Sequence, residues 1–235
     1  MPAVGHHGHL AHPEGRPGQG AENYAKAIYH LQARAEGAVG TGAIAGRLGV
    51  TAASASGMLK RLADEGLVEH TPYHGVRLTR RGEQLALEVI RHHRLLELFL
   101  AEVLGMPWDR VHDEAEVLEH YISEDLEERI AAKLGDPERD PHGDPIPSRE
   151  LALADEASVS LAEMDPGEEG TFARVSDSDA EMLRYLASRG IYPGIVLRVA
   201  GREPFGGPIT VEAEGREHVL GGELVERMRV RATDR

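Results

Sequence analysis

The sequence predicts an α+β protein in three parts: three helices closed by a β-hairpin, an all-helical middle, and a small C-terminal β-barrel. Three observations carry that prediction. Apolar residues recur at three- and four-residue spacing through most of the stretch from Ala21 to Leu134, with one break where two short runs alternate around residues 72–75. A proline-rich segment follows from Gly135 to Glu150, Gly-Asp-Pro-Glu-Arg-Asp-Pro-His-Gly-Asp-Pro-Ile-Pro-Ser-Arg-Glu, and marks a boundary. Beyond it, short alternating runs are separated by Gly/Pro turns.

Residues 1–20 are rich in Gly, Pro and His and show no periodicity, so the expectation is a disordered tail. Its His6, His7, His9 and His12 lack the preorganisation of a specific metal site. From Ala21, the residues Tyr24, Ile28 and Leu31 form one apolar helical stripe. A short helix from Ala43 ends at Gly49, and Val50-Thr51 is a turn in which Thr51 can cap the next helix. That helix buries Ala55, Leu59 and Leu62 and crowds the small residues Ala52, Ala53, Ser54 and Ser56 into its first turns, until Gly66 stops it. Leu67–His70 and Gly75–Thr79 then form a hairpin around Pro72-Tyr-His-Gly75. This is the element order of a winged helix-turn-helix, whose second motif helix enters the DNA major groove. A long helix from about Glu83 to Leu104 follows, with Leu85, Val89, Leu96, Phe99, Leu100 and Val103 on a face too large for one small domain to cover. After Gly105-Met-Pro come a helix through His112–His120 and another from Ser123 to Leu134, an arrangement that suits dimerisation on a symmetric operator. In the C-terminal part, Thr171–Val175, Ile195–Val199 and Ile209–Ala213 read as strands, interrupted by a single helix from Ser178 to Arg189.

The formal net charge is −14, yet residues 22–82 carry eight basic against five acidic residues. That local excess of +3 leaves −17 for the remainder, so an acidic molecule still presents one module suited to a polyanion. With no cysteine, disulfides, thiolate nucleophiles and thiolate metal sites are excluded together. No run of about 18 apolar residues exists to span a membrane, and the first 20 residues have neither the basic start nor the apolar core of a secretory signal. A cytoplasmic protein is expected.

The chemistry concentrates in His112-Asp-Glu-Ala-Glu-Val-Leu-Glu-His120. On a helix, His112, Glu116, Glu119 and His120 fall within roughly one quadrant of one face. His93 and Glu97, at i and i+4, set a second pair of donors side by side. A solvated charged face is the plain alternative. Against it, the same helix must bury Val111, Ala115, Leu118 and Ile122, which puts Glu119 and His120 beside its apolar stripe. Charges at that boundary are paired or metal-bound, and a divalent transition metal is the reading adopted here.

Several segments in order now carry a resemblance. Ala-Glu-Asn-Tyr-Ala-Lys-Ala-Ile-Tyr from Ala21, Asp64-Glu-Gly-Leu-Val, Arg91-His-His-Arg-Leu-Leu-Glu97, Val111–His120 and Asp140-Pro-His-Gly-Asp-Pro-Ile-Pro147 resemble the diphtheria toxin repressor family of iron- and manganese-responsive regulators. The resemblance is strong over residues 21–150. From about residue 155 it extends more loosely to the SH3-like (FeoA-like) C-terminal domain of three-domain members. It implies a winged helix-turn-helix followed by an all-helical dimerisation domain and a C-terminal SH3-like small β-barrel. The implied division is a tail over 1–20, a DNA-binding domain over 21–82, a metal-binding and dimerisation domain over 83–150 and an SH3-like domain over 155–235.

The resemblance also implies ligands. An ancillary site falls on His93, Glu97 and His112, completed from the SH3-like domain, where one family position falls on Arg174, which cannot ligate, and the other on or near Asp177. Asp177 either ligates or belongs to an acidic turn capping the helix near Ser178. The primary site falls on Asn23, Glu116, Glu119 and His120. Iron-type members have Cys and Met where this chain has Glu116 and Asn23; manganese-type members share the Glu but also carry an acid where Lys26 stands. Oxygen donors harden the site toward Mn²⁺, with Fe²⁺ as the alternative, and two metal sites per subunit are expected. Base contacts are implied for Thr51, Ala53, Ser54 and Ser56 and phosphate contacts for Lys60 and Arg61, while Gly57 replaces a polar side chain of iron-type members.

The expected function is a metal-dependent, homodimeric repressor, not an enzyme, that binds a palindromic double-stranded operator and takes no small organic substrate. Two other classes remain as alternatives: a dinuclear metallohydrolase, since such clusters also activate water, and a transcription factor gated by an organic ligand.

Overall fold

A computed structural model describes residues 17–33, 37–71, 75–154, 157–177 and 179–232. The chain divides into two compact units, one running through Val89 and one from Ile90. Of the expected tail over 1–20, residues 1–16 lie outside the described residues, as does the hairpin turn at 72–74, while Gln19 and Gly20 are helical rather than part of a tail. Among those described, no helix is long and apolar enough to cross a membrane.

The first unit begins with α1 (Gln19–Gln32), which starts two residues before the expected Ala21 and buries Tyr24, Ala25 and Ile28. Next come α2 (Thr41–Leu48) and α3 (Ala52–Asp64). Gly49, at φ +65°, ends α2 in the left-handed conformation, and the Thr51 side chain caps α3 by accepting from the Ser54 backbone N–H at 3.2 Å. Ala55, Leu59 and Leu62 are fully buried on the inner face of α3. Strands β1 (Val68–Thr71) and β2 (Gly75–Leu78) pair antiparallel with Val68 opposite Leu78 and Thr71 opposite Gly75. Val39 adds a third edge by a two-way backbone bridge to Val76, at 2.8 and 2.9 Å. The Gln32 side chain accepts from the Leu78 N–H at 2.9 Å, fastening the wing to the end of α1.

Helix α4 (Arg80–Glu102) begins in the first unit and continues into the second. The second unit adds α5 (Val111–Leu118) and α6 (Glu124–Leu134), the latter capped by the Ser123 side chain. Their shared core contains Leu95, Leu96, Leu98, Ala115, Ile122, Ile130 and Ala131. Three expectations are corrected. Helix α5 ends at Leu118, so Glu119 is its C-terminal cap and His120 stands in the following turn rather than on the helix. Leu118, expected in the core, is 39% exposed, whereas Ile122 is buried from beyond the turn. Val103, at the far end of the long helical stretch, is also exposed.

The C-terminal part is one six-stranded antiparallel sheet, ordered β3 (Val159–Ser160), β8 (Met228–Ala232), β4 (Glu169–Val175), β5 (Val196–Arg202), β6 (Ile209–Ala213), β7 (Arg216–Leu220). Register shifts between Phe172 and Arg174 and between Val199 and Gly201 mark bulges, which increase local twist. Its core gathers Phe172, Leu183, Leu186, Ile191, Leu197, Val211 and Val230. Here too the single helix expected over Ser178–Arg189 is corrected: α7 spans Ala180–Ala187, and a second helix, α8 (Gly222–Arg227), and a 3-10 turn at Leu161–Glu163 accompany it.

The proline-rich segment is ordered and packs within the second unit. Asp140 Oδ1 accepts from the N–H groups of His142 and Asp144, at 2.8 and 2.9 Å, closing a tight turn. The His142 carbonyl accepts from Val175 N–H at 3.0 Å, so the turn lies directly on β4. Gly143, at φ +89°, makes this possible: a Cβ there would stand 1.9 Å from the Ala173 carbonyl oxygen. Gly143→Ala should therefore destabilise the protein by about 2–4 kcal/mol, the sum of left-handed strain and overpacking. Urea unfolding of the two proteins measures it, and an unchanged midpoint would contradict this packing.

Candidate metal centre

The centre is built from three short stretches of the second unit. Helix α4 sets His93 and Glu97 one turn apart, α5 contributes His112 near its start and Glu116 one turn later, and the turn after β4 supplies Asp177. These place ligand atoms of His93, Glu97, His112 and Asp177 within 4.8 Å of one another. His93 Nε2 lies 3.0 Å from Glu97 Oε1 and 3.2 Å from His112 Nδ1. His112 Nδ1 lies 3.3 Å from Glu97 Oε1 and 3.1 Å from Asp177 Oδ2. Donor separations near 3 Å equal the edge of an octahedron whose metal–ligand bonds are about 2.1 Å. The cap of α7 falls instead to Asp179, whose side chain accepts from Glu181 and Met182 N–H. Arg174 turns away and pairs with Asp144 Oδ1 at 2.9 Å.

His93 faces two ways. Its Nδ1 donates to Glu119 Oε2 at 2.5 Å and lies 3.8 Å from Glu116 Oε1, while Glu119 Oε1 is 3.6 Å from His120 Nε2. A second group, His93, Glu116 and Glu119, thus adjoins the first through one imidazole. Glu119 is fully buried and His120 nearly so. Asn23, the remaining expected primary ligand, lies on α1 of the first unit.

A third group escaped the reading of ligands from sequence: Glu97 with Asp140 and His142, all three buried. Their only signal was the Asp140-Pro-His-Gly-Asp-Pro run, recognised as a family segment and not as a donor set. His142 Nε2 donates to the Trp108 carbonyl at 2.8 Å, and its ring stacks on the Trp108 indole. Its Nδ1 points at Glu97 Oε2 across 3.7 Å, too long for a hydrogen bond. Neither atom has a hydrogen-bond partner among the described residues. Orphaned buried donors and acceptors of this kind are costly unless something completes them, and nitrogen and carboxylate donors suit a divalent cation. The donor set therefore fits the metal that its chemistry implies.

The electrostatics are those of a carboxylate ringed by imidazoles. Burial alone would raise the Glu97 pKa, but the charge on His93 and the rings of His112 and His142 outweigh it and hold the carboxyl well below the usual range. Hydrogen bonding to Asp177 and Glu97 pushes His112 up to about 10 against the opposing effect of burial. Asp177, though desolvated, is drawn down to about 2, chiefly by His112. His142 rises to about 9 despite burial, through Glu97 and Asp140. Buried Asp140 moves the other way, well above the usual range, because desolvation and the nearby Glu97 and Asp144 charges disfavour its ionised form.

In the first unit, the residues expected to meet DNA all lie on the outer face of α3 or at its cap: Thr51, Ala53, Ser54, Ser56, Lys60 and Arg61 are exposed. The Ser56 hydroxyl donates back to the Ala52 carbonyl at 2.9 Å, and Arg61 Nε donates to Glu65 Oε1 at 2.8 Å. At Gly57 a Cβ would meet open space, so nothing within the protein demands glycine there.

A metal at the first cluster must displace the proton of His112, since ligating imidazole is neutral. The His112 pKa is raised, so the metal-free protein keeps this group's contribution to stability below pH 6.5 and loses it as pH rises through about 10. Metal affinity should run the opposite way, rising roughly tenfold per pH unit between neutrality and that value. Calorimetry of Mn²⁺ binding in buffers of different ionisation enthalpy should show about one proton more released at neutral pH by the unsubstituted protein than by His112→Ala. Proton release unchanged by His112→Ala would refute the assignment.

Comparison with known proteins accords with this geometry. Residues 18–76 match the iron dependent repressor N-terminal DNA binding domain, residues 79–148 the iron dependent repressor metal binding and dimerisation domain, and residues 159–232 the FeoA domain. The iron-dependent repressor IdeR of Mycobacterium tuberculosis is 34% identical over 211 residues, covering 84% of this chain and 90% of that protein. The diphtheria toxin repressor of Corynebacterium glutamicum is 32% identical over 220 residues, covering 89% and 94%. Among solved structures, a manganese-dependent transcriptional repressor in complex with manganese superposes with a TM-score of 0.83 at 44% identity, over 91% of this chain and all of that one. ScaR with bound Zn²⁺ superposes with a TM-score of 0.75 at 30% identity, over 91% and 99%. These proteins are repressors, which supports the regulator among the three functional classes and neither of the other two. The chain belongs to the diphtheria toxin repressor family of iron-dependent repressors.

Proposed function

We propose that this protein is a cytoplasmic, homodimeric transcriptional repressor that binds a palindromic operator when Mn²⁺ occupies its metal sites and so controls metal-homeostasis genes. The observation that carries this reading is the four-donor cluster of buried His93 and Glu97 with half-buried His112 and Asp177, in a chain whose N-terminal segment matches a DNA-binding domain. Residues 21–82 would bind DNA, 83–150 bind metal and dimerise, and 155–235 form the SH3-like domain that supplies Asp177. Val117, 61% exposed on α5, and its neighbours Leu118 and Tyr121 give the dimerising segment an apolar surface to bury.

The proposed ancillary ligands are His93, Glu97, His112 and Asp177; the primary ligands are Asn23, Glu116, Glu119 and His120. Bound Mn²⁺ would supply a hard divalent charge around which oxygen-rich donors gather. Glu116 favours it, because a carboxylate takes the place of the thiolate found in iron-type members; Fe²⁺ is the competing choice. His93 orients Glu119 through its Nδ1 while its Nε2 faces the other cluster. Thr51, Ala53, Ser54 and Ser56 would read base edges, with Lys60 and Arg61 on phosphates. Binding of metal shifts the protein toward its DNA-competent state only by the difference in affinity between the two states.

The test is operator binding by fluorescence anisotropy with the metal removed and restored. Chelated protein should bind specific DNA at least tenfold more weakly, a typical allosteric coupling, with Mn²⁺ restoring affinity. Glu116→Cys should move the metal preference toward Fe²⁺ under anaerobic conditions. Full operator affinity after chelation would defeat the proposal.

A further inference from the structure

Beside His93, its neighbour on α4, His92, is also fully buried and belongs to none of the three donor groups described above, standing instead with Glu88 and Glu124. His92 Nδ1 lies 3.3 Å from the backbone carbonyl oxygen of Glu119, and its Nε2 lies 3.0 Å from Glu127 Oε2, with Glu124 Oε1 at 3.7 Å. A carbonyl oxygen only accepts, so Nδ1 carries the proton in that bond. Glu127 is fixed in turn: Arg91 Nε donates to its Oε1 at 2.5 Å, and Arg91 Nη1 donates to the Pro147 carbonyl at 2.7 Å. The chain of bonds runs from the proline-rich segment through Arg91, Glu127 and His92 to the main chain of Glu119.

That endpoint is where α5 stops. Glu119 is the terminal cap, its N–H still bonded to the Ala115 carbonyl at 2.9 Å, and His120 follows in a turn closed by Tyr121 N–H on the Leu118 carbonyl, so the Glu119 carbonyl stands beyond the helical ladder. Two successive histidines grip the same residue: His92 by its carbonyl, His93 by its carboxylate at 2.5 Å.

We propose that His92 is a positioning residue for the Glu119–His120 turn, holding the main chain of Glu119 from α4 so that both side chains are set for the metal before it arrives. This rests on the reading of Glu119 and His120 as primary ligands. It assigns to the Nδ1 edge of His92 a role separate from that of its Nε2 edge, which braces α6 through Glu127.

The two edges are separable by substitution. Asn places an amide N–H near the position of Nδ1 and keeps the bond to the Glu119 carbonyl; Gln places one near Nε2 and keeps the bond to Glu127 instead. Each loses one hydrogen bond, so a purely structural role predicts equal effects. In a His112→Ala background, which weakens the neighbouring cluster, Mn²⁺ affinity is measured by the loss of the free-ion electron paramagnetic resonance signal. His92→Asn should stay within about threefold of its parent, and His92→Gln should weaken Mn²⁺ binding at least tenfold, as loss of an outer-shell partner does. Metal-free thermal melting should shift similarly in both.

Equal Mn²⁺ affinities in the two variants, or a larger loss in His92→Asn, would overturn the proposal. Glu119→Gln in the same background keeps the two failures apart. If it binds Mn²⁺ as tightly as its parent, the ligand assignment falls and the role of His92 with it; if it weakens binding while the two His92 variants match, only the role of His92 falls. Should a variant not fold, nitrogen-15 spectra of the unsubstituted metal-free protein decide: a protonated Nδ1 on His92 is required, and an unprotonated one excludes the bond to Glu119.

Discussion

A carboxylate with no solvent contact, Glu97, sits between three imidazoles, and the second unit is arranged around meeting its cost. Burying an ionised carboxyl is unfavourable by several kcal/mol unless it is paired. His93 and His112 approach Oε1, and His142 faces Oε2. Each of those rings is anchored elsewhere. His93 reaches Glu119, His112 reaches Asp177 and His142 reaches the Trp108 carbonyl. Compensation for one charge thereby draws together α4, α5, the proline-rich turn and the segment following β4. Asp140, beside Glu97, is pushed toward its protonated form by burial and by the Glu97 and Asp144 charges. A divalent cation held by these donors would take over the compensation that protons on the imidazoles supply in its absence.

This arrangement also explains why the proline-rich segment is structured rather than a free linker. Pro residues cannot supply N–H groups, but the turn they frame is closed by Asp140 and laid on β4 through His142 and Gly143. Arg94 adds a bond to the Pro145 carbonyl, and Arg91 one to Pro147. The segment is thus held from α4 on one side and from the sheet on the other. Asp177 stands two residues beyond the end of the strand on which that turn rests, so it approaches His112 from a braced position.

Much of this was legible in the sequence, and the failures are instructive. The helix-turn-helix was readable because every local signal agreed: Gly49 as a stop, Thr51 as a cap, and Ala55, Leu59 and Leu62 as a stripe. His93, Glu97 and His112 were readable from helical spacing joined to family resemblance, and the structure brings them together with Asp177. The end of α5 was not readable, because Ile122 is buried from beyond the turn just as a helix would bury it, and periodicity cannot tell the two apart. β7 was overlooked because Arg216, Glu217 and Val219 are exposed and Leu220 alone is buried, leaving no alternation to detect; β3 has two residues. The convergence of His142 and Asp140 on Glu97 is a long-range tertiary contact, which no local pattern encodes.

The central claim is that occupation of the metal centre and binding of DNA are two views of one equilibrium. Thermodynamic linkage requires the coupling to be reciprocal. The most direct measurement is Mn²⁺ affinity of the protein alone and of the protein saturated with operator DNA, by titration against a competing chelator. DNA should tighten Mn²⁺ by the same factor by which Mn²⁺ tightens DNA, expected at roughly 5–150-fold. Identical Mn²⁺ affinity with and without operator would contradict the account.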